Sequence, residues 1–167
     1  MIQATPPRLR RAYYDCRYGQ LHVHNAIPAG GGFDELTTLV CVHDRATTGA
    51  QFAGVLAGLG AERSIYAPDL PGNGQTDAAP GATWAEAGAH AIGDFLDSMR
   101  IRRIDVLASG DGAEVAALLL AQRSAAVRRY ALLDPPAVVP APAPGLTLPP
   151  SVTAVQRIHR LREFFGA

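Results

Sequence analysis

The chain has no charge excess of either sign: fifteen basic residues balance fifteen acidic ones across 167 residues. A nucleic-acid footprint needs a basic surplus and a solvating tail needs an acidic run, so the composition supports neither. Long apolar runs are missing too. The longest, Val115 to Ala121, is far below the roughly 20 residues that cross a bilayer. The N-terminal basic residues have no apolar stretch behind them, which leaves no secretory signal pattern. Cysteine is scarce: Cys16 and Cys41 form one bridge at most, so no disulfide scaffold is expected. What is present is apolar content, 48% hydrophobic against 18% charged, enough to bury a core in one domain. The expectation is a cytoplasmic α/β protein that meets neither nucleic acid nor membrane.

Period-2 alternation through Tyr13, Cys16, Tyr18, Leu21 and Val23 reads as a hairpin turning at Tyr18-Gly19-Gln20, with residues 1–10 irregular. The glycines at 30–32 interrupt the chain, since such a run is entropically costly inside an element. Leu36–His43 reads as a strand buried on both faces, Thr48–Gly60 as a helix, and Ser64–Asp69 as a second buried strand. Thr83 and Glu86 form a capping-box pattern that opens a helix running to about Met99. Ile104–Ala108, Asp111–Gln122 and Tyr130–Leu133 complete a strand, a helix and a fourth strand. The order is a hairpin followed by β-α-β-α-β-α-β, which implies a mostly parallel sheet of about six strands with helices on both faces. The proline-dense residues 135–150 read as an extended loop, separating a core over 1–134 from a short amphipathic helix within 151–167.

The chemistry concentrates in Ile104–Glu114, where a buried strand meets a glycine turn and then an apolar helix. One use of that geometry is a nucleophile elbow, with the helix N-terminus stabilising negative charge. The other is a dinucleotide site, in which Gly110 and Gly112 let a pyrophosphate approach and Asp134, 22 residues beyond Gly112, binds a ribose. Against the second stand Val115 at the third glycine position and the negative Asp111 at the helix start.

Four segments together resemble the α/β-hydrolase superfamily. Val40–Asp44 resembles the strand and His-Gly loop that donates one oxyanion-hole amide, and Ala67–Asp77 is similar to the family's A-P-D-L-P-G-x-G-x-S-D turn. Ile104–Gly112 resembles the strand and elbow, and Val127–Asp134 the following strand. The resemblance implies attack on a small ester or epoxide without cofactor or metal. It also implies roles: Asp134 as the acid, Asp111 as the donor of the second oxyanion-hole N–H, and residues 151–167 as a fragment of cap helix. On the family's V-G-H-S-x-G elbow, however, the nucleophile position falls on Gly110, with Ser109 one place early. Asp44 replaces the glycine of His-Gly. The family core has eight strands and carries its triad histidine after the last. Here the C-terminal strands and most of the cap are expected to be missing, and His159 is the only histidine beyond Asp134.

Each candidate also has a plain structural role. Ser109 suits a strand end that bonds nearby backbone, Asp134 a turn before Pro135-Pro136, and His43 a buried strand end lining the site. Trp84 and His90 suit helix packing. His22 and His24 share one face of a strand, but a metal needs more ligands than two and none is near in sequence. The expectation is a hydrolase relative whose catalysis is impaired, with Ser109, Asp134 and His43 as residual catalytic candidates around the elbow residues Asp44, Gly110, Asp111 and Gly112. Its alternatives are a non-catalytic binder of a small apolar ligand or partner, and the dinucleotide module. A sheet that stops early exposes an edge, which implies a homodimer or a second chain completing it.

Overall fold

A computed structural model describes residues 5–31 and 36–166. Residues 1–4, Gly32 of the expected glycine break and Ala167 lie outside the described residues. Among those described, one seven-stranded mixed sheet carries helices on both faces. The strands are β1 (Arg8–Cys16), β2 (Gly19–Ile27), β3 (Thr38–Val42), β4 (Ile65–Pro68), β5 (Ile104–Ser109), β6 (Val127–Leu133) and β7 (Leu146–Leu148), in spatial order β1-β2-β4-β3-β5-β6-β7. From β4 to β7 every pairing is parallel, and β1 and β2 add an antiparallel hairpin at one side. This is the α/β-hydrolase-like sheet that the sequence implies.

Alternation on the strands divides the core. Val40, Val42, Val106 and Ala108 point to α2 (Trp84–Ser98) and α3 (Gly112–Gln122). Leu39, Cys41 and Leu107 point to α1 (Ala53–Leu59) and α4 (Ala154–Gly166). The capping box forms as expected, with the Thr83 hydroxyl accepting from Glu86 N–H and the Glu86 carboxylate accepting from Thr83 N–H. Thr48–Gly60 divides into a short 3-10 turn over Gly49–Phe52 and then α1.

Three expectations need correction. The N-terminal stretch becomes regular at Arg8, because β1 pairs with β2 along its whole length. The hairpin turn lies at Arg17-Tyr18, with Gly19 at φ +123° already back in the ladder opposite Cys16. Asp94 on α2 holds that turn by accepting from the Arg17 backbone N–H and guanidinium. The 135–150 segment is not loop throughout: Leu146–Leu148, between Pro144 and Pro149, pairs with Ala131–Leu133 and buries Leu148.

All fifteen basic residues are arginine, and the sheet uses two of them at its N-terminal end. Asp105, fully buried on β5, accepts from Arg63 and Arg128, and both guanidiniums also donate to the Phe165 carbonyl at the end of α4. A fork of donors on one carboxylate suits arginine's planar geometry. The network ties α4 to β5 and β6, and desolvation pushes the Arg63 pKa down from its usual value.

Candidate functional site

The carboxyl ends of β3, β4, β5 and β6 converge, which is where open α/β sheets place their sites. At the tip of β5 the chain turns through Gly110 at φ +52° and enters α3. That left-handed conformation is the strained backbone of an elbow, and the missing side chain leaves room above it. Asp44, from the loop after β3, fills that room. A Cβ added at Gly110 would land within the Asp44 carboxylate, 2.7 Å from its Cγ. Gly112 answers a different need, since a Cβ there would sit 2.6 Å from the carbonyl oxygens of Val42 and His43. It lets α3 pack against β3, so the second glycine of the dinucleotide pattern is used for packing while the first is covered by a carboxylate.

Ser109 is the last residue of β5 and is buried. It lies on the α1 face, where its Oγ accepts a 2.9 Å hydrogen bond from Gln51 Nε2. Gln51 Oε1 in turn accepts from Asp44 N–H at 3.2 Å and from the Thr47 hydroxyl at 2.8 Å. The amide expected to serve an oxyanion is therefore already engaged by a side chain of the 3-10 turn that follows its loop.

His43 is fully buried between β3 and the turn after β4. Its Nε2 lies 2.8 Å from Leu70 N–H, a pure donor, so Nε2 carries no proton. The proton sits on Nδ1 and goes to the Asp44 carbonyl at 2.7 Å. Both ring nitrogens are thus committed to backbone, and desolvation lowers the pKa, keeping the ring neutral. A general base needs a free nitrogen within reach of the proton it takes, and this geometry gives His43 none.

Asp134, at the end of β6 with φ +46°, holds Arg157 of α4 through both carboxylate oxygens. Among the described residues no histidine bonds to it. His159 is exposed on α4 beside Glu163. Asp111 caps nothing with its side chain; it pairs at 3.5 Å with Arg45, which also reaches Glu114 and stacks 4.6 Å from the Trp84 ring centre. The elbow's rim is thus acidic on three sides, at Asp44, Asp111 and Glu114, with Arg45 as its counter-charge. The cavity that reaches nearest, about 160 Å³ walled in part by Gln51, Phe52, Val55, Leu133 and Arg157, is below the roughly 300 Å³ at which ordinary ligand pockets begin.

Sequence reasoning missed Asp69, the most heavily bonded carboxylate of this end of the sheet. Buried at the end of β4, it accepts from Gly49 N–H, Gln75 N–H and His22 Nδ1, with His24 Nε2 3.3 Å from its other face. Desolvation raises its pKa, but the donors from Gln75, His22 and Gly49 outweigh that and hold it below the usual carboxylate range. The available signal was a charged residue directly after a buried strand, in a turn where Gly74 sits at φ +52° against the same carboxylate.

With the elbow, the His-Asp loop and the β4 turn placed on one sheet end, the class can be stated. A family model described as "Alpha/beta hydrolase family" matches residues 39–167, and the chain belongs to that family. No curated protein matches it by sequence. Among solved structures it is similar to Cfl2 wild-type from Burkholderia cenocepacia, with 26% identity and a TM-score of 0.68 over 86% of this chain and 47% of that one. The epoxide hydrolase CorEH superposes at TM-score 0.68 with 17% identity, covering 77% of this chain and 43% of that chain. The naproxen esterase (carboxylesterase NP) from Bacillus subtilis gives 0.67 and 21%, covering 78% and 44%. The last two likenesses speak for the fold alone. The chain spans less than half the length of each of these structures.

Proposed function

We propose that this chain is an α/β-hydrolase-family member that keeps the elbow as a fold element and lacks covalent catalysis at it. One observation carries the reading: position 110 has the elbow's left-handed backbone but no side chain, and the Asp44 carboxylate stands where a nucleophile's first carbon would be. Nucleophilic catalysis requires an activated side chain beside a base, and Ser109 is hydrogen-bonded to Gln51 beneath the elbow. A role in binding a small apolar ligand or a partner chain is the corresponding activity. No described helix is long and apolar enough to cross a membrane, and Cys16 and Cys41 are both free thiols, in keeping with a cytoplasmic setting. The test is turnover of small p-nitrophenyl esters and styrene-type epoxides by the folded protein, expected to match the uncatalysed background.

The seat of the Asp44 carboxylate, in the space above Gly110 where an elbow side chain would stand, favours a second reading, in which Asp44 itself is a displaced carboxylate nucleophile. Epoxide or ester turnover that disappears in Asp44→Asn and persists in Ser109→Ala would select it over the first.

A further inference from the structure

The two strand histidines set aside for want of a third ligand acquire one in the fold. β2 pairs with β4 antiparallel, with His24 opposite Ala67, so the residue that follows β4, Asp69, comes level with His22. One nitrogen from each ring and a carboxylate oxygen all lie within 4.8 Å of one another. We propose that His22, His24 and Asp69 form a binding site for a divalent transition-metal ion of the zinc class.

The distances are those of a site closed on itself without its ion. His22 Nδ1 stands 2.9 Å from Asp69 Oδ2, and His24 Nε2 stands 3.3 Å from Oδ1. Two ligands each about 2.1 Å from one zinc ion are roughly 3.0–3.4 Å apart at angles between octahedral and tetrahedral. The widest separation in the cluster, up to 4.8 Å, needs to close by about 1.4–1.8 Å, which calls for a rotation of His24, the more exposed ring. Imidazole and carboxylate together suit zinc, nickel, copper and iron rather than magnesium or calcium. To bind, His22 shifts the proton that its Nδ1 points at Asp69 to its other ring nitrogen.

Support around the ligands is already built. Gly49 N–H and Gln75 N–H hold the two carboxylate oxygens from behind, and the His22 and His24 rings meet edge-on at 4.8 Å. Such outer partners orient ligands and raise metal affinity. A Cβ at Gly49 would come 2.9 Å from His24 Cδ2, so the ring is seated directly against backbone. The ion also has a way in. A groove of about 550 Å³ between the β1–β2 hairpin and α1 is lined by His24, Arg10, Arg11, Leu9, Ala53 and Leu56. Three protein ligands leave a fourth position open towards that groove. Arg11, opposite His24 in the ladder, places one positive charge beside that position, which favours an anionic fourth ligand such as hydroxide or a carboxylate. The site lies on the hairpin side of the sheet and uses no elbow residue, so it stands or falls independently of the proposed function.

The test is titration of the tag-free, chelator-stripped chain with Zn²⁺ alone by calorimetry, and with Co²⁺ alone by visible absorption. The expected result is one Zn²⁺ per chain, a Co²⁺ ligand-field band that Zn²⁺ removes, and a higher melting temperature with metal. His24→Ala should weaken binding by about 100-fold or more, while His159→Ala, on an exposed helix, leaves it unchanged. Should His24→Ala fail to fold by circular dichroism, His24→Gln, which keeps bulk and polarity, serves in its place with the same expected loss. Affinity weaker than about 1 mM in the parent chain, or equal affinity in the folded His24 variant, would overturn the proposal and leave the cluster as a hydrogen-bonded clasp.

Discussion

Substituting Gly110 by alanine tests whether the Asp44 carboxylate really occupies the elbow. The new methyl must enter the volume held by that carboxylate, and the backbone must keep φ near +52°. A left-handed residue with a Cβ costs about 1–2 kcal/mol, offset by about 0.4–1 kcal/mol because alanine narrows the unfolded ensemble. Pushing Asp44 out of its rotamer adds about 0.5–1.5 kcal/mol. Gly110→Ala alone should therefore lose about 2 kcal/mol. In an Asp44→Ala background the rotamer contribution vanishes, and the same substitution should lose only about 1 kcal/mol, leaving a coupling of about 1 kcal/mol. Urea unfolding followed by circular dichroism resolves this, since 2 kcal/mol moves the midpoint by roughly 1 M at a typical slope. Additivity of the two substitutions to within about 0.3 kcal/mol would refute the reasoning, because it would mean that the carboxylate is not in that space.

Asp105→Ala strands two arginines, one of them almost wholly buried, and should lose about 3–5 kcal/mol in the same urea assay. The burial of His43 makes stability pH-dependent: its folded pKa is depressed, so below the unfolded value of about 6.5 the unfolded state binds more protons. Melting temperature should then fall as pH drops from 6.5 to 5, with His24 acting in the same direction, and a His43→Gln variant should show a shallower slope. Among the described residues β7, at the sheet's far edge, is paired on one side only, whereas β1 at the other edge carries Arg8, Arg10 and Arg11. Charged edges resist pairing, so association should run through β7. Light scattering at tens of micromolar should report a dimer, and a monodisperse monomer would count against it.

Much of this fold was legible because its signals are local. The buried strands Val40–Val42 and Ile104–Ala108 announce themselves by apolar runs, and the Thr83–Glu86 box by three-residue spacing. Gly110 could be placed at the elbow because the motif register is short and continuous. What fills the space above it could not be, because Asp44 and Gly110 lie 66 residues apart and meet only when β3 and β5 pair. The same holds for Gln51 and Ser109, joined across 58 residues. β7 was hidden by composition, since the prolines around Leu146–Leu148 dominate the window although none lies within the strand. The His22, His24 and Asp69 cluster was half visible. The two histidines show by alternation, but their partner arrives through an antiparallel register that no sequence period encodes.

The central claim is that the elbow carries no serine nucleophile, and reaction with a fluorophosphonate ester addresses it most directly. The folded chain should show no mass increase under conditions that fully label an active serine hydrolase. An adduct mapped by peptide mass to Ser109, and lost when the protein is unfolded first, would contradict the claim and make the buried serine a working nucleophile.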